Sequence, residues 1–429
     1  MKINVNFVFC EIVRNYSFFN IQYSFTNYKP FTARKGEYIM AYYNMAETEK
    51  RLEKIKEILR AKNLDAALIY FDELNVANGW YLTGWCGQFE KGSVLVPVEG
   101  EPILLGGPES EPFAKMNSAI TKVRCFPVFM VPDEEYPNAT IMNFKELNDE
   151  LKSEGTVLRR IGFVGTSTIP HQVYCDFMAG FEGVEMVDIT DEYETLRAYK
   201  SAWEGDQIQK ATELCDVARD KMMEAIKPGA FEFEVAAAGE AYCRKNGATS
   251  FAYSTIVGSG ERAKAVVPTA TNKAMQDGEL VMIGIAPRFN GYAGTFGDTI
   301  PVNGVYTHKQ KDLLNHMRET FRLTHEMLKP GMSGREIDVP GRLYYEKHGL
   351  IDYLVCPFAH SIGLMEAESP FFGPNGDFVL VPGMAVMVDV SFFGHPDLHG
   401  GRIETGFIIT ENGSKPLSPK MFDYFMKDL

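Results

Sequence analysis

The chain has 429 residues, of which 45% are hydrophobic and 23% are charged, a composition that is ordinary for a soluble globular protein with room for two domains. Its formal net charge of −14 leaves no basic surplus to neutralise phosphates, which argues against nucleic acid as a partner. No apolar run approaches the length of a membrane span, so we expect no membrane partner. The seven cysteines are dispersed without a CxxC pair, which indicates reduced thiols and a cytoplasmic location.

Residues 1–44 lack the pattern of a folded domain. The segment 1–39 is aromatic and basic, with no helical or alternating period, and it resembles neither a signal peptide nor a transit peptide. The codons that encode Lys35-Gly36-Glu37 resemble a ribosome-binding sequence, and Met40 follows at a suitable distance. We therefore expect residues 1–44 to be a non-native or disordered leader, with the natural start at Met40 or Met45.

Residues 45–190 alternate between helical and strand-like patterns. The apolar spacing over 48–62 predicts an amphipathic helix, and the continuous apolar run 66–71 predicts a buried strand. Further strands are predicted at 93–98, 102–105 and 160–164. This alternation is typical of an α/β domain of moderate size.

Residues 191–429 contain an internal repeat. A long charged helix is predicted over 192–226 and a second over 309–328, and each ends at a Lys-Pro-Gly triplet. The strand-like segment Gly278 to Ile285 also matches Gly383 to Val390 in the same order. We interpret this half of the chain as an α+β duplication around a shared cleft, in which Gly284 stands where its counterpart has Asp389.

An acidic residue lies inside the apolar strand predicted around 386–390. Burying Asp389 is costly unless its carboxylate is paired, hydrogen-bonded or bound to a cation. A salt bridge to a residue such as Arg402 explains it structurally, and a functional site explains it equally well. A polar turn carrying His395 and His399 connects this strand to a second one, which carries Glu404.

Six short motifs follow one another along the chain: Leu64-Asp65-Ala66-Ala67, Tyr81-Leu82-Thr83-Gly84, His360-Ser361-Ile362-Gly363-Leu364, Glu368-Ser369-Pro370, Pro382-Gly383-Met384 and Gly401-Arg402-Ile403-Glu404. Taken in this order, they resemble the creatinase, prolidase and methionine-aminopeptidase (M24 peptidase) family. The resemblance covers most of the chain from Met45 onward. It implies a pita-bread C-terminal domain over 191–429 with an internal pseudo-duplication, preceded by a smaller creatinase-type α/β domain over 45–190.

The resemblance also implies a set of metal-ligand positions. Peptidases of the family hold two divalent ions with two Asp, one His and two Glu, and the last three fall on His360, Asp389 and Glu404. The two Asp positions fall on Gly284 and Thr295, neither of which offers a carboxylate. Two ions held close together need bridging carboxylates, so we expect no dinuclear centre. One His and two carboxylates are enough for a single ion.

Two further positions depart from the family pattern. The substrate-side His of the family aligns with Val267, and a second His aligns with Ala367. The departure at Val267 counts against strict creatinase activity, because the catalytic His of creatinase falls there.

We assign roles to eight residues from these patterns. The expected catalytic residues are His360, Glu404, Asp389 and Glu368. The expected substrate-binding residues are Arg402, Asp298, His395 and His399. Structural explanations stay open for several of them: Asp298 as a turn cap, Arg402 as a neutralising partner of Glu404, and the two turn histidines as solvated side chains.

The sequence therefore predicts a cytoplasmic hydrolase that cleaves a C–N bond in a small polar or dipeptide-like substrate. His and carboxylate groups would do the acid–base work without a cofactor, as in creatinase, or with at most a single divalent metal. The alternatives are an Xaa-Pro aminopeptidase or dipeptidase, a mononuclear-metal enzyme, and a catalytically silent binding domain. The resemblance also implies a homodimer in which the N-terminal domain of one subunit lines the cleft of the other.

Overall fold

The computed structural model describes residues 43–106, 110–132 and 139–429. The predicted leader lies outside the described residues except for positions 43 and 44. Over the described ranges, no helix has both the length and the apolar character that crossing a membrane requires.

The first part of the chain forms a six-stranded sheet with the order β4-β3-β2-β1-β5-β6, flanked by helices. The predicted strands 66–71 and 160–164 occur with those bounds, because each is an apolar run ended by turn residues. The helices are α1 (Met45–Lys62), α2 (Val76–Thr83), α3 (Ser110–Asn117), α4 (Phe144–Ser153), α5 (His171–Gly180) and α6 (Thr190–Ala198). The strands are β1 (Ala66–Phe71), β2 (Gly92–Pro97), β3 (Ile103–Gly106), β4 (Val123–Cys125), β5 (Arg160–Val164) and β6 (Glu185–Asp188).

Apolar side chains cover both faces of this sheet, which explains why β1 is a continuous hydrophobic run. On one face Ile55 and Leu59 of α1 are fully buried, and they belong to one hydrophobic cluster with Ile69. On the other face Leu147 of α4 and Phe177 of α5 form a second cluster. The helix predicted over 48–62 is therefore held by its apolar stripe.

The second part of the chain is built on an eight-stranded sheet. Its helices are α7 (Ala202–Ala225), α8 (Glu232–Lys245), α9 (His308–Glu326), α10 (Gly334–Lys347) and α11 (Pro419–Phe425). Its strands, with those of a small three-stranded sheet, are β7 (Ser250–Phe251), β8 (Ile256–Ser259), β9 (Leu280–Ile285), β10 (Pro287–Phe289), β11 (Tyr292–Ala293), β12 (Phe296–Pro301), β13 (Ala359–Ser361), β14 (Glu368–Phe372), β15 (Ala385–His395), β16 (His399–Thr410) and β17 (Gly413–Pro416).

The order of the large sheet displays the duplication. It runs β14-β13-β15-β16-β12-β9-β8, with β17 added to β16, so one half supplies β8, β9 and β12 and the other supplies β13, β15 and β16. Each half also supplies a helix pair, α7 with α8 and α9 with α10. The halves meet where Gly297 of β12 pairs with Glu404 of β16. The α+β class and the pita-bread architecture are both present.

The prediction of a single helix over 192–226 is wrong, because the chain forms two helices there, α6 and α7. The chain leaves helical geometry between α6 and α7, where the Lys200 backbone N–H donates to the Gly383 carbonyl at 3.2 Å. Ser201 then starts α7 through a capping box with Glu204. The Ser-x-x-Glu pattern of this capping box is present in the sequence, but the contact with Gly383 depends on the fold.

A buried polar network ties α1 to the second part of the chain. The Arg51 guanidinium donates to the Tyr292 hydroxyl at 2.8 Å and lies 3.1 Å from the Glu204 carboxylate. The Tyr292 hydroxyl in turn donates to Glu204 at 2.8 Å, and the Tyr81 ring lies under the guanidinium. Because the charges are paired and hydrogen-bonded, the network fixes how the two sheets are placed.

Candidate active site

His360 lies at the centre of the short strand β13, where it pairs with Met387 of β15. Its side chain is buried, and Nδ1 lies 3.0 Å from the Ser361 carbonyl oxygen. Because a carbonyl oxygen only accepts, Nδ1 carries a proton, and in the neutral imidazole Nε2 keeps a free lone pair. A backbone bond of this kind orients imidazoles that serve as metal ligands or bases.

Two glutamates face that lone pair. Nε2 lies 3.8 Å from Oε1 of Glu366, in the loop between β13 and β14, and 3.8 Å from Oε1 of Glu404, on β16. The ligand atoms of His360, Glu366 and Glu404 all lie within 4.8 Å of one another. Among the described residues this is the group with the donor types and spacing for a metal ion.

Asp389 and Arg402 complete the charged floor of the site. Asp389 lies directly across the sheet from Glu404 in the β15–β16 register. Arg402 Nε is 3.1 Å from Asp389 Oδ1, although neither atom is aligned for a hydrogen bond. Burial by itself lowers the pKa of Arg402, but the carboxylates of Asp389 and Glu404 outweigh it and raise the pKa. The guanidinium therefore stays charged and partly neutralises the cluster.

Burial and the neighbouring charges favour the protonated form of Glu404. Burial raises its pKa well above the ordinary range of a carboxyl group, and the neighbouring charges of Asp389 and Glu366 raise it further. Arg402 opposes this shift without cancelling it, and Glu404 also shares a hydrogen bond with Glu366. Oε1 of Glu404 is buried and has no hydrogen-bond partner in the described part of the chain. The site therefore favours an added proton or cation.

These groups open into a pocket of about 290 Å³. Tyr253 and Ile256 form one side of it, and Cys356 lies on another. Burial raises the pKa of the Cys356 thiol to about 11, with the Asp389 carboxylate adding to the shift, so this thiol is not an activated nucleophile.

The two positions where the family resemblance expects Asp are occupied differently. The Thr295 hydroxyl is buried and lies 2.8 Å from the hydroxyl of Tyr253. A side chain added at Gly284 would place its Cβ 3.0 Å from the Phe296 carbonyl oxygen and 3.2 Å from the Tyr253 hydroxyl. Neutral hydroxyls thus fill this side of the site.

Two of the acids assigned from sequence do not line this pocket. Glu368, expected to be catalytic, lies 2.6 Å from Lys200 and 3.7 Å from Arg197 in a buried cluster. Asp298, expected to bind substrate, accepts two hydrogen bonds from Arg219 at 2.9 and 2.6 Å. Both carboxylates are paired with cations in the protein interior, so the structure gives them structural roles.

The two turn histidines also lie outside the pocket. His395 packs against the Tyr353 ring, and its Nδ1 accepts from the backbone N–H groups of Asp397 and Leu398. His399 adopts a positive φ of 63° in the same turn. His395 is therefore held by packing and backbone contacts, whereas the structural explanation that the sequence left open for it was a solvated side chain.

Sequence reasoning missed Glu366 and Tyr253. The sequence assigned Glu368 from the motif Glu368-Ser369-Pro370, but a register shift in the β13–β14 pairing at His360 and Ser361 puts Glu368 opposite Ser361. Nothing in the sequence marks this irregularity. Tyr253 reaches the site only because the chain before β8 folds over Gly284.

Comparisons with known proteins agree with this architecture. Residues 206–411 match the model of metallopeptidase family M24, and residues 51–199 match the creatinase/prolidase N-terminal domain. The Xaa-Pro dipeptidase of Pyrococcus furiosus is 29% identical over 371 residues, which cover 86% of this chain and 98% of that protein.

Solved structures show the same relationship. The prolidase of Pyrococcus horikoshii superposes with a TM-score of 0.72 at 26% identity, covering 89% of this chain and 99% of its own. The Xaa-Pro dipeptidase of Bacillus anthracis gives 0.73 at 25% identity, covering 87% and 98%.

The second part of the chain is a pita-bread domain that follows a creatinase-type domain and presents one imidazole and two glutamates. This combination defines a hydrolase domain of the M24 type. The chain belongs to the creatinase/prolidase group of metallopeptidase family M24. The named relatives are Xaa-Pro peptidases, which favours the peptidase alternative over the metal-free, creatinase-like hydrolase that the sequence placed first.

The donor set fits a single divalent ion. It offers a lone pair on an oriented imidazole, two carboxylates within reach, and a buried carboxylate oxygen without a partner. The sequence placed Asp389 in this set, but Glu366 takes that place beside His360 and Glu404, while Asp389 lies against Arg402.

Proposed function

We propose that the protein hydrolyses an amide C–N bond in a small, dipeptide-like substrate and uses one divalent ion held by His360, Glu366 and Glu404. The observation that carries this proposal is the cluster itself, with its oriented lone pair and its unpartnered Glu404 oxygen. Membership in metallopeptidase family M24 and the Xaa-Pro peptidase relatives support the reaction class.

A single ion is supported by the charges that remain. The positions of the two missing ligands are Gly284 and Thr295, and the Thr295 hydroxyl is engaged with Tyr253. A second ion would lack the bridging carboxylates that offset the repulsion between two divalent charges. We therefore propose a mononuclear centre for this member of the family.

The bound ion would polarise the scissile carbonyl and lower the pKa of a water molecule. Glu366 has the more accessible carboxylate, with 19% of its side chain exposed against 1% for Glu404, and it lines the pocket. In our proposal Glu366 takes a proton from the attacking water and returns it to the leaving amine as the C–N bond breaks.

Metal analysis with activity measurement tests the proposal. We expect about one equivalent of divalent ion per chain, with amide hydrolysis lost on chelation and restored on reloading. Glu366→Gln should lose the ion and the activity, whereas Glu261→Gln, which changes an exposed carboxylate, should keep both. Two equivalents per chain would contradict the mononuclear centre.

A second candidate is acid–base hydrolysis without a metal, which the raised pKa of Glu404 beside Glu366 favours. Two carboxyl groups that share a proton supply both an acid and a base. Full activity after complete removal of metal would establish it in place of the first proposal.

We further propose a cytoplasmic homodimer that binds neither nucleic acid nor membranes. The acidic net charge of −14 supports the absence of nucleic acid binding. Light scattering after gel filtration measures the oligomeric state, and a monomer would contradict this part of the proposal.

A further inference from the structure

The mouth of the pocket is apolar. Val266, Val267 and Phe371 line it, and 40%, 49% and 52% of their surfaces are exposed. Apolar side chains grouped at the opening of a cleft gain free energy when a ligand removes them from water. A group that enters the site therefore passes between apolar surfaces.

The charges inside the pocket leave nothing to attract an anion. Among the described residues that line it, Arg402 is the only lysine or arginine, and it already faces Asp389 at 3.1 Å. Glu366 and Asp389 line the pocket, and Glu404 lies buried beside them. The three carboxylates cancel the charges of one guanidinium and one divalent ion, so no positive charge is left over for a carboxylate of the substrate.

We propose that the substrate carries an apolar side chain and an uncharged terminal group, not a free carboxylate, next to the scissile amide. Peptide amides fit this description, as do longer peptides whose C-terminal carboxylate lies beyond the pocket. The volume of about 290 Å³ is at the lower end of the range for small-molecule sites, which limits the enclosed group to a small one. This inference rests on the proposed amide hydrolysis and narrows its substrate class.

A matched pair of substrates tests the inference. Alanyl-proline and alanyl-prolinamide differ only in the terminal group, a charged carboxylate in the first and a neutral carboxamide in the second, so the ratio of their kcat/KM values isolates the effect of that group. We expect the metal-loaded enzyme to prefer the amide by at least about tenfold, which corresponds to about 1.4 kcal/mol. A preference for the free dipeptide, or equal values, would overturn the inference while leaving the hydrolase proposal intact.

Adding a cation at the mouth should reduce or cancel the preference for the amide. Val267→Arg and Phe371→Arg each place a guanidinium there, and each should shift the ratio toward the free dipeptide by at least about tenfold. Leu343→Arg is the control, because Leu343 lies on α10 outside the pocket and is 58% exposed. It should leave the ratio unchanged, and a ratio that stays the same in both mouth variants would contradict the inference.

Binding measurements separate this inference from the proposed reaction. If neither substrate is turned over, the hydrolase proposal fails, and calorimetric titration with proline and prolinamide still examines the pocket. Tighter binding of prolinamide supports the inference. Equal binding, tighter binding of proline, or no binding of either compound overturns it.

Discussion

Replacing Asp298 by Asn should destabilise the protein strongly and leave substrate affinity unchanged. The Asp298 carboxylate accepts from Arg219 Nε at 2.9 Å and from Nη2 at 2.6 Å, and both side chains are more than 90% buried. An asparagine keeps the shape but removes the charge, so the Arg219 guanidinium is left uncompensated in the interior. Breaking a buried ion pair in this way costs about 3–5 kcal/mol.

The size of the loss sets the expected shift in melting temperature. In a domain of this size, 1 kcal/mol corresponds to roughly 2–4 °C, so the lower figure of about 3 kcal/mol predicts a drop of roughly 6–12 °C. The double variant Asp298→Asn with Arg219→Met should recover part of the loss, because it removes both charges at once. Differential scanning calorimetry of the wild type, the single variants Asp298→Asn and Arg219→Met, and the double variant measures the coupling between the two side chains directly.

The adjacent Asp220 supplies a matched control. It pairs with Lys420 at the surface, where both side chains are about half exposed, and exposed pairs contribute about 0–1 kcal/mol. Asp220→Asn should therefore leave the melting temperature nearly unchanged. The reasoning is refuted if Asp298→Asn has an unchanged melting temperature and a raised KM, since that result would place Asp298 at the substrate, as the sequence suggested.

Three further predictions concern the site and its surroundings. Glu366→Gln should weaken metal affinity by at least about tenfold, as measured by isothermal titration calorimetry. Losing a group that only orients a metal ligand already costs about 10–100-fold in affinity, and Glu366 is a proposed ligand. Tyr253→Phe should cost about 1–3 kcal/mol in urea unfolding by leaving the buried Thr295 hydroxyl unpaired, and adding Thr295→Val should restore most of it. Burial lowers the pKa of His325, so the unfolded chain binds the proton more readily. Stability from this residue is full above a pH of about 6.5 and is lost as the pH falls below it. His325→Phe should flatten that dependence of stability on pH, as measured by urea unfolding across the same pH range.

The sequence predicted the parts of the fold that local pattern determines. Strands β1 and β5 were delimited correctly because their apolar runs end at turn residues, and the duplication was visible because both halves repeat the same helix stop and strand. The break at Lys200 could not be predicted from helical periodicity, since a carbonyl nearly two hundred positions away accepts the hydrogen bond that ends the helix.

The candidate site divides in a similar way. The structure brings together His360, Asp389 and Glu404, which lie on neighbouring strands with fixed register. The sequence could not show that Glu366, and not Glu368, faces His360. That difference depends on the irregular strand pairing after His360 and on the ion pair between Lys200 and Glu368. Side chains carried by regular strands follow from the pattern, whereas those on the connecting loop follow from packing.

Charge balance links the buried acids to the proposed chemistry. Glu366, Asp389 and Glu404 meet one guanidinium, that of Arg402, so two negative charges of the ionised cluster are left without a counter-ion among the residues that the structure describes. At about 4 Å and an effective dielectric constant of 20, each like-charge contact costs about 4 kcal/mol. The raised pKa of Glu404 is the direction expected from this cost, because a proton on its carboxyl group removes one of the two charges. A divalent ion beside His360 would relieve it completely and release that proton. Metal affinity should therefore rise with pH, and an affinity independent of pH would separate the ion from these carboxylates.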